Sequence, residues 1–362
     1  MRPVSKMSRK IVQQLTPCRP FIFNDSPEQR IILTNNENPY GGEYRQYPDT
    51  GKSGLEAFAA SYLKLLTHIE DLHDTGHPSL TPENIILTNG SAVALEQIFK
   101  AYFEPGKDVV TLTPPFFSVF SRLAQIYNIK INSVPLSGPE HNRLNINAIC
   151  NSGMKGVILC DPNNPTGNRI NPGDIAELLE QYQGLVVIDE AYVEYSRYSS
   201  NLKQLSSHKN VLILRTFSKA IGMAGLRIGA VIGDSSLIEP LRRVQLPFAL
   251  SSVAVEHAHH RVNQYDNIIT GIRHFQNERD RVYRILKTLP AIETVWGNDA
   301  GFLAIRVKNI EQCTEAFQRH NLEAVFTPEG LKDFIRISLG TPAQNDYLIQ
   351  ALSSAAIGRT EY

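Results

Sequence analysis

Between residues 85 and 235, short apolar runs alternate with stretches whose apolar residues recur at helical spacing. IILT (85–88) leads through Asn89-Gly90-Ser91 into a segment where Leu95, Ile98, Phe99 and Tyr102 fall on one helical face, with Asn89 or Ser91 available as the cap. GVILC (156–160) leads through a Pro/Asn/Gly loop into a helix with Ile175, Leu178, Leu179 and Tyr182 on one stripe, and then into LVVID (185–189). A period of about 30 residues is that of a right-handed crossover between parallel strands. NVLILRT (210–216) and RIGAVIG (227–233) add two more apolar runs. The pattern predicts an α/β fold with a doubly wound, mainly parallel sheet.

After about residue 265 the style changes to a charged helix (HFQNERDRVYRILKTL), isolated strand-like pieces (FLAIRV, FIRISLG) and a closing helix. This predicts a smaller α/β domain. At 362 residues the chain exceeds the usual size of one core, so more than one domain is expected. The expected division is an N-terminal arm at 1–45 that joins the small domain, a large domain at 46–262 and a C-terminal small domain at 263–362.

Charge narrows the partners. The 36 lysines and arginines balance the 36 aspartates and glutamates, which gives no reason to expect nucleic acid or an anionic membrane, and makes a small-molecule site the better prospect. Cys18, Cys150, Cys160 and Cys313 form no CxxC pair and read as reduced thiols. No apolar run approaches the ~20 residues of a membrane span, and the basic opening lacks a secretory core. A cytoplasmic protein with no metal site is expected; His257, His259 and His260 lack the i,i+4 spacing of a helical zinc pair.

Ligands of open α/β sheets bind beyond the carboxyl ends of the strands. The informative positions are therefore Asn89-Gly90-Ser91, Asn163-Asn164-Pro165-Thr166-Gly167, Asp189-Glu190-Ala191-Tyr192, and Thr216, Ser218 and Lys219. A Gly-Ser turn opening a helix suits a phosphate, and Ser218, Lys219 and Arg227 can add hydroxyl and cationic contacts. Nucleotide motifs do not fit: GKS at 51–53 has Gln46, not glycine, five residues earlier, and GxGxxG is absent. Asp189 ends an apolar run, so its carboxylate needs a cation or donor. Pyridoxal phosphate (PLP) meets these requirements together. It has a protonated ring nitrogen for Asp189, an aldehyde for Lys219, a phosphate for the helix end at Ser91, and a phenolic oxygen for Asn164 and Tyr192. Taken singly, each motif is commonplace; a lone lysine after a strand is usually a surface residue. Phe116 and Phe117, after VVTLTPP, suit either the core or the face of a planar ring.

With these residues in hand, the chain resembles the fold type I PLP-dependent aminotransferases of class I/II, and within them is most similar to histidinol-phosphate aminotransferases. The order NENPYG (36–41), YPD (47–49), NGS (89–91), PP-aromatic (114–117), PNNPTG (162–167), DEAY (189–192), SKAxxxAGLRxG (218–229) and RISLGT (336–341) carries the resemblance over nearly the whole chain. It implies that the large domain binds PLP, that Lys219 bonds its aldehyde and that Asp189 keeps its ring nitrogen protonated. Asn164 and Tyr192 would hold the phenolic oxygen, and Phe117 would stack on the ring. Ser91, the backbone of Ala92, Ser218 and Arg227 would grip the phosphate, with Tyr47 reaching it from the other subunit of a homodimer. Arg336, with Asn38 and Asn164, would bind the acidic group of the substrate. The implied reaction is a ping-pong exchange between an amino donor, histidinol phosphate or a related amino acid, and a keto acid, 2-oxoglutarate, in amino-acid biosynthesis.

Departures from the family pattern fall on the substrate side. Ala92-Val93 replaces an acidic pair, Cys18 a tyrosine, and Gly301 the asparagine of an Asn-Tyr or Asn-Phe pair that here ends in Phe302. The second arginine of histidinol-phosphate enzymes is missing from AVFTPEGLKDF, where Lys332 is the available cation, and the segment at 67–79 is longer than usual. A PLP-dependent amino-acid-phosphate decarboxylase of the same fold, or a non-catalytic relative, stays open as an alternative.

Overall fold

A computed structural model describes residues 6–17, 36–38, 40–51, 54–71, 79–151, 153–328 and 330–355. Cys18, Pro39 of the NENPYG motif and residues 72–78 of the long 67–79 segment lie outside the described residues. The strands are β1 (Ile85–Thr88), β2 (Val109–Leu112), β3 (Lys130–Ser133), β4 (Gly156–Cys160), β5 (Leu185–Asp189), β6 (Val211–Thr216), β7 (Gly229–Gly233), β8 (Ile292–Trp296), β9 (Phe302–Val307), β10 (Val325–Phe326) and β11 (Phe334–Ser338). The chain makes two compact units: Met1–Lys107 with Asn201–Ile268, and Asp108–Ser200 with Ile269–Tyr362.

Each unit holds a run of hydrogen-bonded strands. The first unit contributes β1-β7-β6, with β7 antiparallel to both neighbours. The second contributes β5-β4-β2-β3, all parallel. Every residue of β4, β5, β6 and β7 is buried, as strands covered on both faces must be, which is why they read as unbroken apolar runs. Two features differ from the sequence reading. RIGAVIG runs antiparallel, because the connection from β6 contains only a 3-10 turn (Ala224–Leu226) and no crossover helix. KINS forms β3 although it is largely exposed; it is an edge strand with little apolar surface to reveal it.

In the first unit the helix Ser91–Tyr102 buries Leu95, Ile98, Phe99 and Tyr102, as its 3.6-residue pattern requires. In the second, the helix Pro172–Gln181 is capped by Asn171, whose side chain accepts from Gly173 N and Asp174 N, with proline at its first position. The same unit holds a four-stranded antiparallel sheet, β10-β11-β9-β8. Leu303, Ile305, Ile335 and Ile337 on one face of it pack with Val282, Leu286, Phe317 and Leu352 from the helices Tyr265–Leu286, Ile310–Arg319 and Pro342–Ser354. Trp296, Ala304, Leu331 and Phe334 form a second cluster. No helix among the described residues is long and apolar enough to cross a membrane.

Asp174, near the start of its helix, also anchors the preceding loop. It accepts from Arg143 Nε at 2.8 Å, Arg143 Nη2 at 2.9 Å and Leu144 N at 2.8 Å. Burial works against its charge, but these donors outweigh burial and hold the carboxyl below its ordinary range. A native pKa depressed in this way adds stability above the unfolded value and loses it as the pH falls through the native value. Asp174→Asn is therefore expected to lower the urea midpoint clearly at pH 7, with an effect that shrinks as the pH falls below the ordinary carboxylate range. An equal loss at the lower pH would show that the charge of Asp174 is not what stabilises the loop.

Candidate active site

In the first unit, β1 ends in a turn that opens the helix Ser91–Tyr102. Its N-cap is Gly90, at φ 87°, and no side chain bonds the first turn; neither Asn89 nor Ser91 acts as the cap that the sequence suggested. The leading N–H groups, those of Ser91 and Ala92 among them, have no carbonyl within the helix to meet and carry its positive dipole end. Backbone packs on backbone here, since a Cβ on Gly229 would lie 2.4 Å from Ser91 N. A Cβ on Gly90 would lie 2.8 Å from Arg227 Nη2. Arg227 itself takes the left-handed conformation, φ 54° and ψ 53°, and its Nη1 donates to Ser218 Oγ at 3.2 Å and Ala224 O at 2.9 Å. A guanidinium, a hydroxyl and a helix N-terminus thus share one cradle, a donor set suited to a phosphate dianion. Lys219 follows Ser218 in the exposed turn after β6.

Tyr47 and Asn38 make a separate group in the same unit. Tyr47 is half exposed, stacks on Phe248 with centroids 4.2 Å apart, and donates its N–H to Glu37 Oε1 at 2.7 Å. Asn38 accepts from Tyr40 N at 3.0 Å through Oδ1. Tyr44, Arg45, Tyr47, Phe248 and Ser251 line a cleft of ≈ 590 Å³.

In the second unit the loop after β4 carries Asn164 and is tied down by charge. Asp161, fully buried, accepts from Arg169 Nε at 2.9 Å and Ile170 N at 2.8 Å, and pairs with Arg169 Nη2 at 2.8 Å. Its own N–H donates to Asp189 O at 2.9 Å, which links the loop to the end of β5. Asn163 Nδ2 donates to Pro115 O at 3.0 Å. Asn164, only 4 % exposed, is held at both ends of its amide: Nδ2 donates to Tyr192 Oη at 3.3 Å, and Oδ1 accepts from Arg336 Nη1 at 2.6 Å. Asp189 is buried, and its Oδ1 accepts from Ala191 N at 3.1 Å. Burial above all, reinforced by Cys160 and Asp189, pushes the Tyr192 phenol up, against the opposing pull of Arg336 and Asn164. Tyr192 therefore stays a hydrogen-bond donor at neutral pH. Phe117 is half-buried, edge-on to Phe120.

Gly301, where the family pattern leads one to expect asparagine, has no room for a side chain: a Cβ would lie 2.8 Å from Tyr195 Cε2. The Tyr195 ring is itself packed on Phe275 at 4.4 Å. The neighbouring Phe302 lies under Arg336, whose guanidinium is 5.4 Å from the ring centroid, and at right angles to Tyr192 at 5.1 Å. Phe248 escaped the sequence reading, and Phe302 and Glu37 entered it only as members of motifs, with no role of their own. The alternation of FLAIRV puts Phe302 and Ala304 on one face, but which residue lies opposite depends on a pairing 36 residues away (Phe302 with Ser338).

The strands of each unit, the lysine turn and the anion cradle define the fold type I, PLP-dependent class of enzymes. A family model described as aminotransferase class I and II matches residues 24–352, and the chain belongs to that family. A histidinol-phosphate aminotransferase of Flavobacterium psychrophilum is 32% identical over 92% of this chain and 92% of its own length. The solved structure of histidinol-phosphate aminotransferase from Sinorhizobium meliloti in complex with pyridoxal-5'-phosphate matches at TM-score 0.71 and 22% identity, covering 83% of this chain and 82% of that one. L-threonine-O-3-phosphate decarboxylase from Porphyromonas gingivalis matches at TM-score 0.67 and 23% identity, covering 86% and 97%.

Each unit by itself offers donors that suit part of PLP: the first a cradle for a phosphate, the second an amide–phenol pair for an oxygen anion. Gly90→Ala puts a methyl group against Arg227 Nη2 and an L side chain at a positive φ, at a cost of about 1–3 kcal/mol. It is expected to weaken PLP affinity about tenfold in a fluorescence titration, with the fold retained by circular dichroism. Unchanged affinity would show that the cradle holds no phosphate.

Proposed function

We propose that the protein is an aminotransferase of the histidinol-phosphate type. It moves an amino group between an amino donor, histidinol phosphate or a related amino acid, and 2-oxoglutarate, and works as a cytoplasmic homodimer in amino-acid biosynthesis. The observation that carries this reading is the run of hydrogen bonds from Arg336 through Asn164 to Tyr192. A cation suited to an acidic substrate group is joined through one amide to the phenol suited to the cofactor's oxygen. The likeness to curated histidinol-phosphate aminotransferases supports the same reading.

When bound, PLP supplies an electrophilic carbonyl carbon and an electron-accepting ring. Lys219 Nζ would hold that carbon and, as a free amine, would take the α-proton of the donor and return one. Asp189, buried at the end of β5, accepts the ring N–H and keeps it protonated. Asn164 Nδ2 and the Tyr192 hydroxyl donate to the phenolic oxygen, and Phe117 packs on the ring face. Ser91, the N–H of Ala92, Ser218 and Arg227 hold the phosphate, with Tyr47 contributed by the other subunit. Arg336, with Asn38 and Asn164, orients the acidic group of each reactant in turn, so one site serves both halves of a ping-pong cycle. In this reading 46–262 is the PLP-binding domain and 263–362 the small domain.

The purified protein with PLP is expected to be yellow, and borohydride is expected to fix the cofactor on Lys219. Lys219→Ala should abolish that capture and reduce turnover by about 10³-fold or more. Histidinol phosphate should bleach the visible band and 2-oxoglutarate should restore it. A protein that takes up no PLP sinks the reading. Release of carbon dioxide from an amino-acid phosphate would move it to the decarboxylase, the activity named for the Porphyromonas gingivalis neighbour.

A further inference from the structure

We propose that Phe302 is a positioning residue that aims Arg336 and steadies Tyr192 together, and thereby sets the affinity for the acidic group of both reactants. This rests on reading Arg336 as the substrate anchor. The β9–β11 register pairs Phe302 with Ser338 and Ala304 with Arg336. Directly paired residues of antiparallel strands share a face, so these four side chains lie on the side of the sheet opposite Leu303, Ile305, Ile335 and Ile337. Ala304 is the residue across from Arg336, and its small side chain leaves the long one free to lean along the sheet toward Phe302. The guanidinium ends 5.4 Å from the Phe302 centroid, over the electron-rich face of the ring.

The other sides of the ring are also occupied. Tyr192 meets it at 87° with centroids 5.1 Å apart. Gly167, at φ 74°, yields the space beside it: a Cβ there would come within 3.2 Å of Phe302 Cε2. Phe302 is 4 % exposed and has no polar side-chain atom, so it acts through its neighbours. Asn164 fixes one nitrogen of Arg336 by a hydrogen bond, and the Phe302 ring lies beneath its central carbon. An aliphatic side chain of similar volume would fill the space without attracting the cation.

If both reactants use Arg336, a misaimed guanidinium must weaken both. In the holoenzyme, Phe302→Leu is expected to raise KM for the amino donor and for 2-oxoglutarate by a similar factor, about tenfold. It should raise the dissociation constant of maleate, an unreactive dicarboxylate measured by calorimetry, by the same factor, while kcat stays within about twofold. Phe302→Tyr, which keeps the ring, should restore all three. A fall in kcat at unchanged KM, or a rise in only one KM, overturns the proposal. Should Phe302→Leu fail to fold, Ala304→Val crowds the place across from Arg336 and is expected to give the same paired rise; unchanged KM values would overturn the proposal equally. Arg336→Lys separates the two levels. If it leaves both KM values unchanged, the anchor reading itself fails. If it raises both while Phe302→Leu raises neither, only the role of Phe302 falls.

Discussion

The second unit is organised around one carboxylate that never meets water. Asp161 is fully buried, and it persists there because three N–H donors from Arg169 and Ile170 surround it. Removing either member of such a pair leaves an uncompensated charge in the interior, at a cost of about 3–5 kcal/mol. The pair closes the loop Pro162–Gly167 back on its own stem, and the Asp161 N–H ties that stem to Asp189 O. With the loop held so, Asn164 faces Tyr192 and Arg336, and Gly167 faces Gly297 and Phe302. The residues proposed to touch ligands are thus placed by residues that are not.

The first unit solves a similar problem without charge. Gly229 is required because a Cβ there would lie 2.4 Å from Ser91 N, and Gly90 because its backbone sits at φ 87°. That approach sets Arg227 beside the helix N-terminus, and the left-handed backbone at Arg227 is part of the same fit. Such a conformation costs a non-glycine residue about 1 kcal/mol or more, and the surrounding turn maintains it.

Much of this was legible in the chain. IILT, GVILC, LVVID and VLILRT read as buried strands because their environment is apolar on both faces, and the helix stripes followed from spacing alone. The direction of β7 was less plain. A signal existed, since the twelve residues from Phe217 to Ile228 hold no helical period, and a parallel return needs a crossover. The cap at Gly90 was missed because side-chain preference favours Asn or Ser, whereas the backbone at that position takes φ 87°, which strains any L side chain. The partners of Asn164 and Phe302 could not be read at all from spacing, because they arise from pairings between distant strands. Local chemistry marks a residue as useful; long-range register decides what it meets.

Gly301 carries a consequence for how the chain can change. Its missing side chain is not spare volume, because the Tyr195 ring fills that place and is braced by Phe275. An asparagine introduced at 301 alone would collide with the ring before it could form any new hydrogen bond. The permissive step must come first, at position 195, and it would have to keep the backbone oxygen there that accepts from Arg279 and Gln276. The two positions therefore form an ordered pair: of the two paths from this sequence to an asparagine at 301, only the one through a smaller residue 195 avoids that collision.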